Sequence, residues 1–402
     1  MNGSLALPRP TFSLLANPRA RRGGGIRSEA FRGGLPAIDS ALHEIRSWPD
    51  YHPTPLHDLT GLAQHVQLGQ LRLKDEGHRF GVGSFKPMGG GYAVSRILAR
   101  EVMQVAGAAR TGPRELLAGE FADIVSRVTV ACATDGNHGR AVAWAARTFG
   151  CRAVVYLASH VSESREETIR SFGADVVRTS GNHDDAVRQV AADAGAAGWF
   201  VVSQTASATS PEIAHDIFLG YGALFHEMVN QLPHGVTPSH VFVQCGVGGL
   251  AASCMAYAEL RWGGDRPVIV VVEAENAACA FRSVAAGEPV AIEGDLATLM
   301  GGLAAGEISP HVWPTLDAGA DYCMTIPDEA AIDTMRCLAA MNPPIAIGEA
   351  GVASLAAALT AAQAPHAREL MGLTGQSRVL TIGTEGATDP GAYAEIVGLS
   401  CP

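Results

Sequence analysis

The sequence predicts an α/β protein of two domains, each built on a mostly parallel sheet, with a cleft between them. Short β-rich runs alternate with helical stretches, and this alternation runs twice, on either side of a long helical segment at 211–230. Strands separated by helices of this length are joined by right-handed crossovers, which leave them parallel. Composition agrees: 402 residues suffice for two domains of ordinary size, and 47% hydrophobic against 17% charged residues can bury a large core. Aromatic residues are few and Ala and Gly many, which suits close packing of helices on sheets.

Taken in order, residues 1–36 read as an N-terminal arm, disordered or loosely draped. Residues 37–48 have helical periodicity. Residues 52–59 form a turn built on Pro53 and Pro55. Residues 68–76 read as a short strand leading into a glycine-rich loop, and Tyr92 to Ala106 as a helix. Residues 107–123 are a polar connection or a broken helix. Strands follow at 127–134, 152–158, 174–180 and 199–205. The helices between them end at Gly150, run from a Ser162 cap to a Gly173 stop, and cover 183–195. Beyond the helix at 211–230, strands are expected at 240–246, 267–275, 322–326 and 377–386. Helices are expected at 249–261, 276–287, from Pro327 to 339, and at 349–362. Residues 299–310 are a Gly-rich loop or broken helix. The expected division is an arm at 1–36, a large domain of 37–91 plus 211–402, and a small α/β domain of 92–210.

The composition also excludes partners. A net charge of −11 with no basic patch argues against nucleic acid. No run of roughly eighteen apolar residues offers a membrane span. The N-terminus places its charge after its apolar part, the reverse of a signal peptide. Eight cysteines show no metal-ligand spacing and sit mostly in apolar runs, as reduced cysteines of a cytosolic protein do. No metal is expected.

Four glycine-containing turns carry the candidate chemistry. Lys86 lies between Gly83 and Gly89, with Phe85, Pro87 and Met88 around it, just before a helix. Glycines let backbone or ligand approach closely. A desolvated amine there is a nucleophile able to bond covalently to an aldehyde. A lysine in a turn before a helix is the plainer alternative. Asp135-Gly136-Asn137-His138-Gly139 lies between a strand and a helix, where parallel sheets place ligands and helix amides favour anions. Asp135 and Asn137 are equally suited to capping that helix. Gly246-Val247-Gly248-Gly249-Leu250 repeats the arrangement in the second half and suits a phosphate. It lacks the Lys-Ser/Thr pair of a P-loop and the spacing of a dinucleotide fingerprint; a simple tight turn is the alternative. Thr384 ends the last strand, where a hydroxyl can bond a neutral ring nitrogen or merely close a turn. A phosphate cradle, an amine nucleophile, a carboxylate and a hydroxyl together describe a site for pyridoxal 5'-phosphate.

The segments 74–93, 133–146, 244–253, 273–283, 297–310 and 383–390 occur in the order seen in the diaminopropionate ammonia-lyase branch of the tryptophan-synthase-like pyridoxal-phosphate family, fold type II. The resemblance runs from about Pro53 to Asp389. It implies two three-layer α/β domains with the cofactor in the cleft between them, and a cytoplasmic homodimer. It implies that Lys86 holds the cofactor's aldehyde, that Asn137 contacts the ring oxygen, and that Gly246, Val247, Gly248, Gly249 and Leu250 bind the phosphate. Thr384 resembles the partner of the pyridine nitrogen. Asp135 resembles a second acid/base, on the face opposite the lysine. Ser84, Asp135, Gln204 and Glu349 are the substrate-binding candidates. Two departures stand out: the family's S-G-E-S-G-A has Ile347 and Ala350 at its serine positions, and its Gln-Asp-Thr is Ser203-Gln204-Thr205 here. The second replaces a carboxylate that resembles a substrate-amine contact.

The reading is a lyase that eliminates the β-amine of 2,3-diaminopropionate to give pyruvate and ammonia. A serine/threonine dehydratase-like lyase, or a β-lyase on an N3- or O-substituted amino acid, is the enzymatic alternative. A catalytically silent binder of the cofactor or of an amino acid is the non-enzymatic one. Both Lys86 and Asp135 are present, and binding alone needs no such pair of acid/base groups.

Overall fold

In a computed structural model of the chain, the described residues are 7, 11–24, 33–134, 136–159, 161–181, 183–203 and 211–398. Asp135 and Gln204, two of the candidate site residues, lie outside them. The strands in chain order are β1 (Ser13–Ala16), β2 (Leu56–Asp58), β3 (Gln70–Asp75), β4 (Thr129–Thr134), β5 (Arg152–Leu157), β6 (Asp175–Arg178), β7 (Phe200–Val201), β8 (His240–Gln244), β9 (Val268–Ala274), β10 (Tyr322–Ile326) and β11 (Arg378–Gly383). The described residues divide into two compact units. One falls within Met1–Glu29, Thr54–His78 and Phe225–Pro402; the other within Ala30–Pro53 and Arg79–Leu224.

The first unit is organised by a seven-stranded sheet in the order β1-β10-β9-β8-β11-β3-β2. Its five inner strands pair in parallel, and β1 and β2 close the two edges antiparallel. The inner strands β8 and β9 read as near-continuous apolar runs because both of their faces are covered. Its core joins Leu71 and Leu73 of β3, Val270 and Val272 of β9 and Met324 of β10 to helix Ala353–Gln363, in which Leu355, Ala356, Leu359 and Ala361 are fully buried. Alanine on that helix brings its axis close to the strands.

The arm departs from the expectation of loose draping. Ser13–Ala16 pairs with Tyr322–Thr325 as an edge strand. Polar side chains then fasten it: Asn17 Nδ2 donates to the carbonyls of Asp317 at 2.6 Å and Ala320 at 2.9 Å, and Arg19 Nε meets Asp317 at 2.7 Å. The fully buried Arg266 guanidinium meets Asp321 at 2.6 Å and donates to the Arg21 carbonyl at 2.9 Å. The turn expected at 52–59 also contains β2, three residues whose strand character comes from pairing with β3.

The second unit carries a four-stranded, wholly parallel sheet in the order β6-β5-β4-β7. Helices Asn137–Phe149, Glu163–Ser171 and His183–Ala197 connect its strands. Gly150 ends the first in the left-handed conformation, and the Ser162 hydroxyl accepts from Arg165 N to cap the second. Of the strand expected over 199–205, Phe200–Val201 is β-strand among the described residues, and 204–205 lie outside them.

Candidate active site

In the second unit, Lys86 stands at the start of a π-helical turn, Pro87–Gly91, which runs directly into helix Tyr92–Ala106. Pro87 at the first turn removes an amide that would lack an intrahelical partner anyway. Lys86 is half-buried, with its Nζ 4.8 Å from the centre of the Phe85 ring. Ser84 is wholly buried and its Oγ has no hydrogen-bond partner among the described residues. The glycines answer to close packing. A Cβ on Gly89 would lie 2.4 Å from the Tyr221 ring, and one on Gly220 would lie 1.8 Å from the Met88 carbonyl oxygen. Helix Pro211–Asn230 therefore lies directly against the turn that carries Lys86.

Asn137 is the first residue of the helix that follows β4, at the carboxyl end of that strand. Thr134, which the sequence reading passed over, organises this turn: its Oγ1 accepts from Gly136 N at 3.0 Å and Gly139 N at 3.3 Å. His138 is buried beside it. Its Nε2 donates to the Val202 carbonyl at 2.7 Å, since a carbonyl can only accept. Burial, and then the charge of Lys86, push this imidazole down to about 4, so it is neutral at pH 7. The ring packs on Gly90, whose Cβ would lie 3.4 Å from it, and so ties the Lys86 turn to the Asn137 turn.

In the first unit, Gly246 to Leu250 leave the carboxyl end of β8. Gly248 turns the chain at φ +98°, and helix Gly249–Trp262 begins. Among the described residues no side chain caps this helix, and its first turn holds no acid, so its leading amides suit an external anion. The turn has a fixed backing: Ser309 N donates to the Val247 carbonyl at 3.0 Å, and the Gly302 carbonyl would lie 3.1 Å from a Cβ on Gly246.

Thr384 follows β11, the parallel neighbour of β8, so it and the Gly246–Leu250 turn share one edge of the sheet. It is buried, and its Oγ1 accepts from Gln244 Nε2 at 3.0 Å. The segment with Glu349 is pinned alongside, through Gly348 N on the Glu385 carbonyl at 3.0 Å and Ala350 N on the Glu385 carboxylate at 3.1 Å. Glu349 is half-buried, and Ile347 and Ala350 are buried. Gln244 was also missed. Its signal was present, an amide at the end of an otherwise apolar run. Among the described residues no group of three or more His, Cys, Asp or Glu side chains is arranged to hold a metal.

In the first unit, uncapped helix amides behind a glycine turn suit a phosphate, and the buried Thr384 hydroxyl at the neighbouring strand end suits a ring nitrogen; in the second, the half-buried Lys86 amine on its packed turn suits an aldehyde.

The family model described as pyridoxal-phosphate dependent enzyme matches residues 48–384. The diaminopropionate ammonia-lyase of Salmonella typhimurium is 35% identical over 394 residues, covering 94% of this chain and 96% of that protein. Two crystal structures of diaminopropionate ammonia lyase from Escherichia coli are similar over 98% of this chain and 98% of theirs, at 32% identity. One, in complex with an aminoacrylate-PLP azomethine reaction intermediate, has a TM-score of 0.85; the other, in complex with D-serine, has a TM-score of 0.87.

Proposed function

The chain belongs to the pyridoxal-phosphate dependent enzymes, and on that premise we propose that it is an ammonia-lyase that removes the β-amine of 2,3-diaminopropionate. The observation that carries this is the nearly full-length likeness to a diaminopropionate ammonia-lyase, with no large segment of either chain unaccounted for. One diaminopropionate and one water give pyruvate and two ammonia: the β-amine leaves first, and the released aminoacrylate hydrolyses. The aminoacrylate-bound relative supports β-elimination, and the D-serine-bound relative supports acceptance of the D configuration.

Bound pyridoxal phosphate supplies the electron sink for the charge left when the Cα proton is removed. Lys86 Nζ would hold the cofactor's aldehyde and, as a free amine, would move the Cα proton of one enantiomer. Asp135 would move that of the other. The amides of Gly246 to Leu250 hold the phosphate, Asn137 meets the ring oxygen and Thr384 the ring nitrogen. Ser84, Gln204 and Glu349 orient the substrate. A proton delivered to the departing amine by a positioned acid completes the elimination.

Gln204 favours a second reading. A neutral amide there attracts a distal ammonium less than a carboxylate does, which suits a neutral β-substituent such as a hydroxyl. The same resemblance supports a homodimer. Location in the cytoplasm is supported by the described cysteines, all of which are free thiols. Among the described residues no helix is long and apolar enough to cross a membrane.

Protein loaded with pyridoxal phosphate is expected to release pyruvate from both D- and L-2,3-diaminopropionate, and none without the cofactor. Asp135→Asn is expected to depress the D reaction far more than the L reaction. Absence of pyruvate from either enantiomer would overturn the assignment; equal losses in the variant would make Asp135 structural.

A further inference from the structure

We propose that Gln244 is a positioning residue that fixes the direction of the Thr384 hydroxyl, so that Thr384 donates to the ring nitrogen of the cofactor and never accepts from it. This rests on the reading of Thr384 as the partner of that nitrogen.

Gln244 is the last residue of β8 and is 3% exposed. Its Nε2 lies 2.9 Å from the Ile382 carbonyl oxygen, 3.1 Å from that of Gly351, 3.2 Å from that of Ala350 and 3.0 Å from Thr384 Oγ1. An amide can sit either way round, and the neighbours decide which way is right. Here the decision is unambiguous. Three of the four neighbours are carbonyl oxygens, which accept and cannot donate. Turning the amide over would set Oε1 against all three. The amino group therefore faces them, its two protons shared among the four oxygens, and toward Thr384 it can only donate.

A threonine hydroxyl has one proton and two lone pairs. With a lone pair engaged by Gln244, whose amino group stands between the hydroxyl and the three carbonyls and cannot itself accept, the proton of Thr384 points away from the amide. A ring nitrogen opposite it meets a donor and must itself be an unprotonated acceptor. Hydrogen bonding at the ring nitrogen is one of the means by which a protein sets the electron demand of this cofactor. The other end of Gln244 supports a role for the donor end: Oε1 is buried with no hydrogen-bond partner among the described residues. An apolar side chain of similar size would fill the same space without stranding an acceptor.

The test uses holoenzyme reconstituted with pyridoxal phosphate labelled with nitrogen-15 in the ring. In wild type the ring signal is expected at the position of a neutral, hydrogen-bonded pyridine; a pyridinium signal overturns the proposal without any variant. Gln244→Met keeps the volume and removes the donor, which frees the Thr384 proton to turn toward the carbonyls left behind. The signal should then move toward that of a neutral nitrogen without a hydrogen bond, in the same direction as in Thr384→Ala. Cofactor affinity should fall roughly tenfold, as for one lost hydrogen bond. Affinity for inorganic phosphate, which bypasses Thr384, should stay at the wild-type value. In a Thr384→Ala background, Gln244→Met should change the ring signal no further. A merely structural Gln244 would lower thermal stability and leave the signal in place. If Thr384→Ala itself leaves the signal unmoved, the reading of Thr384 fails; if Thr384→Ala moves it and Gln244→Met does not, only the role of Gln244 fails.

Discussion

Lys86 sits on a turn with little freedom to move. The Phe85 ring lies under its ammonium and packs on Tyr221 at 5.0 Å between centroids, while Gly89 and Gly90 are pressed against the Tyr221 and His138 rings. A cation over an aromatic face gains about 0.5–1 kcal/mol at a partly exposed site, which helps to hold the Lys86 amine in place. Borohydride treatment of the loaded protein is expected to fix the cofactor to Lys86, read by peptide mapping. Lys86→Ala is expected to retain some cofactor through the glycine turn after β8 and to lose turnover by several orders of magnitude. Label on another lysine would remove Lys86 from its role. The glycine-flanked lysine and the two glycine turns could be read in the sequence because glycine at a close approach is a local necessity. Thr134 and Gln244 could not be assigned roles so directly. Gln244 meets a hydroxyl 140 positions away, a contact made only when β8 and β11 become neighbours.

At the scale of elements, helix Pro211–Asn230 shows how packing makes the Lys86 turn rigid. Gly220 lets the helix touch the carbonyl of Met88, a backbone atom that cannot give way. Gly220→Ala is expected to cost about 3 kcal/mol or more through overpacking, seen as a thermal midpoint lowered by roughly 6–12 °C. Gly195, inside helix His183–Ala197, offers the opposite case, because a Cβ there meets nothing within 4 Å. Gly195→Ala is expected to raise stability by about 0.5–1 kcal/mol. Equal effects at the two glycines would contradict the packing argument. The strands with long apolar runs, β4, β5, β8, β9 and β11, were legible because burial on both faces leaves a continuous apolar signature. β1 and β2 were not, since four and three residues carry almost no pattern of their own and become strands only by pairing. The arm was read as loose for the same reason: Asn17 and Arg19 look solvated until their partners at Asp317 and Ala320 are known.

At the scale of the whole molecule, pH acts on stability through a carboxyl that the chemistry does not use. Glu273 on β9 is wholly buried, and its oxygens accept from Ala280 N and Phe281 N at 2.7 Å each. Burial outweighs those two bonds and pushes the carboxyl from its ordinary 4.5 up to about 8. A group held above its unfolded value binds more protons in the folded chain between those two points, so its contribution is fully present below 4.5 and is lost as pH rises through 8. Chemical denaturation should show stability declining across pH 5 to 8, and Glu273→Gln should flatten that decline; an unchanged slope would remove Glu273 as its source.

The measurement that bears most directly on the proposed activity is kcat/KM of the loaded enzyme for 2,3-diaminopropionate, serine, threonine and N3-acylated diaminopropionate, repeated in Gln204→Asp. The account predicts that diaminopropionate leads in wild type. It also predicts that Gln204→Asp raises kcat/KM for it by about tenfold, the worth of replacing a neutral contact to the distal ammonium by a charged one. Serine or the acylated substrate leading in wild type, with diaminopropionate close to background, would contradict it.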